Sequence, residues 1–196
     1  MSQIVSKLAQ HLVLPRNKMF CRYSHPGIGN AIEIPQGHYA LSTMDKSKEY
    51  LHTQSLCSCI GLGIRNAYGL TMLAHVDALN DVDKFFDEVR PALYKDNSSV
   101  SVGIAGGMES HSETILEHIY FNLIKSGKFE INHFEVLDSS GPFDQRDMHV
   151  SVLRGYYSSG HPGFFSAYVE PTWDTVAPIP RLDERTMLIS YFFIKS

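Results

Sequence analysis

Three scarcities bound what this 196-residue chain can be: one tryptophan, three cysteines and no long apolar run. The longest apolar stretches, such as Ile60–Ile64 and Leu188–Ile194, are strand-length and interrupted, far short of the roughly 20 residues a membrane helix needs. Three cysteines is an odd number, and Cys57 and Cys59 are separated by one residue, which argues against a secreted disulfide framework and for a reduced compartment. Basic side chains number 17 against 21 acidic ones, a net charge of −4, so a protein that tracks nucleic-acid phosphates is excluded. Met1–Leu8 show no basic segment leading into an apolar core, so the expectation is a cytoplasmic protein without a membrane attachment, a secreted effector being compatible. What is present, 43% apolar and 19% charged residues, is the composition of a globular chain. A single domain of this length buries roughly 70% of its unfolded surface and needs neither disulfide nor metal to fold.

Hydrophobic spacing places the elements. Ile4, Leu8 and Leu12 predict a short amphipathic helix over Ser2–Leu12, and Pro26–Asn30 reads as loop. Ala31–Thr43 alternates as one or two strands. Leu56–Arg65 reads as a buried strand that turns through Asn66–Gly69 and returns as Gly69–His75, a hairpin. Val82, Phe85, Phe86 and Val89 form the apolar stripe of a core-packing helix over Asn80–Val89, with Asn80 as its cap and Pro91 helping to close it. Ser99–Ala105 is a strand ending at Gly106-Gly107. Ser110-His111-Ser112-Glu113 has the form of a capping box with Ser110 as cap, and its helix stops near Gly127. Strands are expected again at Ile131–Leu137, His149–Arg154, Phe164–Val169 and Met187–Ile194. Helices set among many strands, with no composition break, predict one α+β (mixed α/β) domain over residues 1–196.

Chemistry concentrates at Thr53-Gln54-Ser55-Leu56-Cys57-Ser58-Cys59 and Leu73-Ala74-His75-Val76-Asp77. A cysteine nucleophile needs a neighbouring base and a third group to orient that base. His75 follows Cys59 by 16 residues, a separation that a hairpin with strands of six to eight residues brings back side by side. The bland alternative is a structural strand histidine beside two small buried thiols. Cys57, Cys59 and His75 could also be three ligands of a zinc site, although no fourth ligand is signalled. An i, i+2 disulfide between Cys57 and Cys59 would be strained.

These residues resemble the signature of the chemotaxis receptor glutamine deamidases of the CheD family, with Thr53 six residues before Cys59 and the Gly69–His75 strand soon after. Cys57 stands where that family has glycine, and Val76-Asp77 stands in place of its apolar-Leu-Pro. The segment resembles the eukaryotic protein N-terminal asparagine amidohydrolases more closely. They share the cysteine, the Leu73-x-His75-x-Asp77 arrangement, an acidic helix, and a strand ending in Gly-Gly and an apolar residue, here Val102–Met108. The likeness covers Thr53–Lys128.

The resemblance implies a β-sandwich-like core flanked by helices, shared with the catalytic domain of cytotoxic necrotizing factor deamidases. Residues 51–196 would be that core, and residues 1–50 an N-terminal extension or substrate-selecting segment. It implies hydrolysis of an Asn or Gln side-chain carboxamide in a protein or peptide, an N-terminal asparagine being favoured, without a cofactor. Cys59 would be the nucleophile, its thiol titrating well below the ordinary value of about 8.5, and His75 the base. Thr53 would orient the imidazole. Asp77 competes for that role, but i, i+2 side chains on a strand stand about 6–7 Å apart. Ser58 and the Cys59 backbone are natural oxyanion donors. Gly106 and Gly107 allow a close backbone approach, to the neighbouring hairpin or to substrate, and Asp77 or Glu109 could hold a substrate ammonium. Two alternatives remain: an internal glutamine deamidase, receptor-directed or host-directed, and a non-catalytic protein-binding domain that uses the Pro-rich loop around Trp173. Cys21 has no assignable role, and nothing in the sequence fixes an oligomeric state.

Overall fold

Alternation along one strand decides the layering. Ile60, Leu62 and Ile64 are fully buried on one side of their strand, whereas Gly61 and Gly63 open the other side to a second sheet. The computed structural model describes residues 2–13, 31–42, 50–95, 98–108, 111–139, 146–151, 157–160 and 176–183. In chain order its elements are α1 (Gln3–Ala9), β1 (Ala31–Glu33), β2 (His38–Ser42), β3 (Tyr50–Leu56), β4 (Ile60–Arg65), β5 (Thr71–Val76), α2 (Val82–Leu93), β6 (Val100–Met108), α3 (Glu113–Ser126), β7 (Phe129–Ser139), β8 (Arg146–Ser151), β9 (Tyr157–Gly160) and β10 (Val176–Pro178). The fold is mixed α+β, with two sheets and three helices among the described residues. None of those helices is long and apolar enough to cross a membrane.

One sheet has the order β10-β2-β5-β4-β6-β7 and the other β1-β3-β8-β9. The larger sheet carries the helices on one face. There Phe85, Phe86, Val89 and Leu93 of α2 and Leu116, Ile119 and Leu123 of α3 meet Ile60, Leu62, Met72, Val102 and Ile104. Each fully buried Phe or Leu in that layer contributes about 1.5–3 kcal/mol by leaving water. The opposite face meets the smaller sheet through Leu73, Ala105 and Cys59 against Ile34, Leu51, Leu56, Met148, Val150 and Tyr157. Glycine makes that approach close enough. A Cβ on Gly103 would sit 2.5 Å from the Tyr157 ring, and one on Gly63 2.7 Å from it. Tyr157 fills the space and donates its hydroxyl to the Ser101 carbonyl at 2.7 Å.

The predicted hairpin is present as β4 and β5, antiparallel from Ile60↔Val76 to Arg65↔Thr71. Leu56 belongs instead to β3, in the other sheet, so Cys57–Cys59 form a bend that carries the chain between sheets rather than the start of one strand. Three helix boundaries also differ. The first helix ends at Ala9. The second is capped by Asp81, whose Oδ1 accepts the Lys84 N–H at 3.0 Å, because the Asn80 amide oxygen is taken by the Asp77 N–H at 2.8 Å. That helix also runs past Pro91, which forfeits a single N–H while Leu93 is fully buried. The third has Ser112, not Ser110, at its N-cap position, without a side-chain capping bond, and β6 continues through Gly106 and Gly107 to Met108.

The described parts of residues 1–50 are built into the fold. β1 pairs parallel with β3, β2 pairs antiparallel with β5, and Leu12 bridges to Ile131 in β7. Strands β3, β9 and β10 were not expected from the sequence. The expected loop at Pro26–Asn30 and strands at Phe164–Val169 and Met187–Ile194 lie outside the described residues, as do Cys21, Glu109, Ser110 and the Trp173 loop.

Candidate active site at the crossing between the sheets

Side-chain parity on β5 sends Met72, Ala74 and Val76 to the helices and Leu73 and His75 to the inter-sheet layer. Cys59, just before β4, packs into that same layer with Leu56, Leu73 and Ala105. Thr53 faces it from β3, fully buried, and its Oγ1 lies 2.7 Å from His75 Nδ1 and 2.8 Å from the Ile34 carbonyl oxygen. The two sheets therefore bring Cys59, His75 and Thr53 to one layer, at the end of β4 and β5 where the chain crosses.

The threonine hydroxyl has one hydrogen, and both of its contacts are satisfied only if it donates to Ile34 and accepts from His75 Nδ1–H. That assignment puts the neutral imidazole's proton on Nδ1 and its lone pair on Nε2. Nε2 is buried and has no hydrogen-bond partner among the described residues. A buried acceptor without a partner costs about 1–3 kcal/mol, and a base awaiting a proton is one physical use for it.

Asp77 does not take the orienting role. Its Oδ1 accepts the Leu79 N–H at 2.8 Å and its Oδ2 accepts Gln36 Nε2 at 3.0 Å, so it shapes the turn after β5. Its charge is still felt nearby. Burial pushes His75 down to about 4, with Asp77 acting upward and His38 downward. Burial pushes the Cys59 thiol up to about 11, and Asp77 adds to that rise, while a hydrogen bond from Ser58 works against it and Cys57 adds a little more. The expected low thiol value is thus contradicted: the cysteine is 8% exposed, and among the described residues no cation offsets the loss of water around the thiolate. At neutral pH the pair rests as thiol and imidazole.

The bend that carries Cys59 is held at three points. Ser55 sits at φ +63, with its N–H donated to Asp147 Oδ1 at 3.0 Å, in a buried carboxylate contact from β8. The Ser58 carbonyl accepts from Ser112 Oγ at 2.8 Å. Gly106, at φ +87, lies so close that a Cβ there would be 2.7 Å from the Cys59 carbonyl oxygen and 2.7 Å from Leu56 Cβ. Gly106 therefore makes its close approach to the cysteine bend; Gly107 follows at φ +88. Ser58 itself is exposed and Cys57 half-buried. No group of three or more His, Cys, Asp or Glu side chains among the described residues is arranged to hold a metal ion.

Sequence reasoning missed Ser112, Asp147 and Gln36. Ser112 had a usable signal, since Ser110-His111-Ser112-Glu113 offers two serines to cap one helix. Asp147 and Gln36 act across 92 and 41 residues of chain, and no local pattern reports such contacts. No protein-family model matches the chain, and no curated protein matches it.

Proposed function

We propose that the chain is a cysteine amidohydrolase that deamidates an Asn or Gln side chain of a protein or peptide, an N-terminal asparagine being favoured. The observation that carries the proposal is the Thr53–His75 hydrogen bond, which leaves Nε2 unpartnered in the layer where Cys59 also packs. The motif likeness to the N-terminal asparagine amidohydrolases and CheD deamidases points the same way. The two-sheet α+β architecture is compatible with the core they share with cytotoxic necrotizing factor catalytic domains.

In this mechanism the Cys59 sulfur attacks the carboxamide carbon as its proton passes to His75 Nε2. The carbonyl oxygen becomes an oxyanion held by backbone N–H groups around Ser58 and Cys59. The imidazolium then gives its proton to the departing nitrogen, ammonia leaves, and a thioester remains. Water, losing a proton to Nε2, attacks the thioester and regenerates the thiol, leaving Asp or Glu. Thr53 keeps Nδ1 protonated throughout.

The test is ammonia release from Asn- and Gln-bearing peptides. Cys59→Ala abolishes it, Cys57→Ala leaves most of it, and equal loss from both points to a redox or metal pair instead. An N-terminal Asn peptide compared with its acetylated form separates exo from internal specificity. A second reading, a non-catalytic protein-binding domain, is favoured by one observation, the thiol held up at about 11. Wild-type protein that releases no ammonia from any of these peptides supports it.

A further inference from the structure

We propose that Ser112 is a positioning residue that orients the Ser58–Cys59 peptide so that the Cys59 N–H serves as an oxyanion donor. As the N-cap of α3, a serine ordinarily uses its oxygen to accept an N–H of the first helical turn. Ser112 makes no such bond. Its fully buried hydroxyl instead accepts the Met108 N–H at 2.9 Å and donates to the Ser58 carbonyl at 2.8 Å, joining the end of β6 to the cysteine bend.

The consequence follows from peptide planarity. In a trans peptide the C=O and the next N–H point in opposite directions, so capturing the Ser58 oxygen fixes where the Cys59 N–H points. Ser112 holds that oxygen at the junction of β6 and α3, and β6 and β5 flank β4 on opposite sides, so the Cys59 N–H points away from the β6 junction. No hydrogen bond occupies that N–H among the described residues. Gly106 backs the arrangement, because the Cys59 carbonyl lies against it too closely for the bend to roll that way.

The inference rests on the proposed attack by Cys59 on a carbonyl, and its test is independent of the natural substrate. Two small reagents are compared at one pH, with modification of each cysteine followed by peptide mass spectrometry. p-Nitrophenyl acetate acylates the thiol through a tetrahedral oxyanion, whereas iodoacetamide alkylates it by displacement without one. Ser112→Ala is expected to slow acylation of Cys59 by about 100-fold, the scale of a lost oxyanion donor, while alkylation changes less than about 3-fold. Ser112→Thr, which keeps the hydroxyl, restores most of the acylation. In unaltered protein, where folding is not at issue, the ratio of acylation to alkylation is expected to be about 100-fold higher at Cys59 than at Cys57.

Equal ratios at the two cysteines, parallel loss of both reactions in Ser112→Ala, or a Cys59 that neither reagent labels would overturn the proposal. The expected acylation pattern without ammonia release from peptides would leave the positioning role standing and remove the deamidase reading.

Discussion

The pH dependence of Cys59 alkylation separates a resting thiol–imidazole pair from a preformed ion pair. With the thiol pushed up to about 11, the thiolate fraction near neutrality is about one in ten thousand. An ordinary cysteine at about 8.5 has about 3% thiolate there, so Cys59 starts at a roughly 300-fold disadvantage. The more basic sulfur is the better nucleophile and recovers about 10-fold of this, leaving iodoacetamide reaction about 20- to 30-fold slower than at an exposed thiol. The rate should then climb about tenfold per pH unit, with no plateau below about pH 10. Asp77→Asn removes the second-largest cause of the rise and is expected to move the curve to lower pH. Peptide mass spectrometry follows Cys59 apart from Cys21 and Cys57. A plateau reached below about pH 8 would refute the reasoning, since it requires a thiolate stabilised by imidazolium, an arrangement inconsistent with a His75 pushed down to about 4.

Two further outcomes follow from the same residues. Thr53→Val keeps the side chain's shape but leaves the Ile34 carbonyl and His75 Nδ1–H without their shared partner, so kcat for ammonia release should fall about 100-fold while Thr53→Ser keeps most of it. An unchanged kcat for the valine variant would remove Thr53 from the mechanism. His52 and His75 are both pushed down to about 4 by burial, so the unfolded chain takes up their protons near pH 6.5 and the folded chain only near pH 4. Stability is therefore fully present above about pH 6.5 and lost as pH falls toward 4, by about 2–3 kcal/mol from each histidine at about pH 4.5. Urea midpoints read at about pH 7.5 and 4.5 measure the loss, and coincident midpoints would exclude it.

Local chemistry was legible in the sequence where it depended on one strand or one helix stripe. The β4–β5 hairpin and the apolar stripe of α2 follow from spacings within about two dozen residues, whereas the pairing of Thr53 with His75, across two sheets, was suggested only by the motif resemblance, with Asp77 as its competitor. The division into sheets was not legible. Leu56–Arg65 reads as one buried run, yet Leu56 ends a strand of the smaller sheet and Ile60 begins one of the larger. The change of sheet is enforced by Ser55 at φ +63 and by Asp147, 92 residues away. The capping motif failed for a related reason. Both Ser110 and Ser112 suit a helix start, and the decision falls to Ser112, whose hydroxyl bridges Met108 and Ser58.

That failure bears on function. A serine at a helix start that leaves its helix uncapped gives up stabilisation of about 1 kcal/mol, and it does so here to hold the carbonyl beside Cys59. Local preference is overridden at the point where the candidate nucleophile's backbone is fixed. Departures of this kind are expected where a fold is shaped for chemistry. The buried, unpartnered Nε2 of His75 is a second departure in the same layer. A non-catalytic module of this architecture would have no use for the unpartnered nitrogen, and substitutions that remove it, such as His75→Leu or His75→Met, should then raise its urea midpoint. In an amidohydrolase the same changes would abolish turnover.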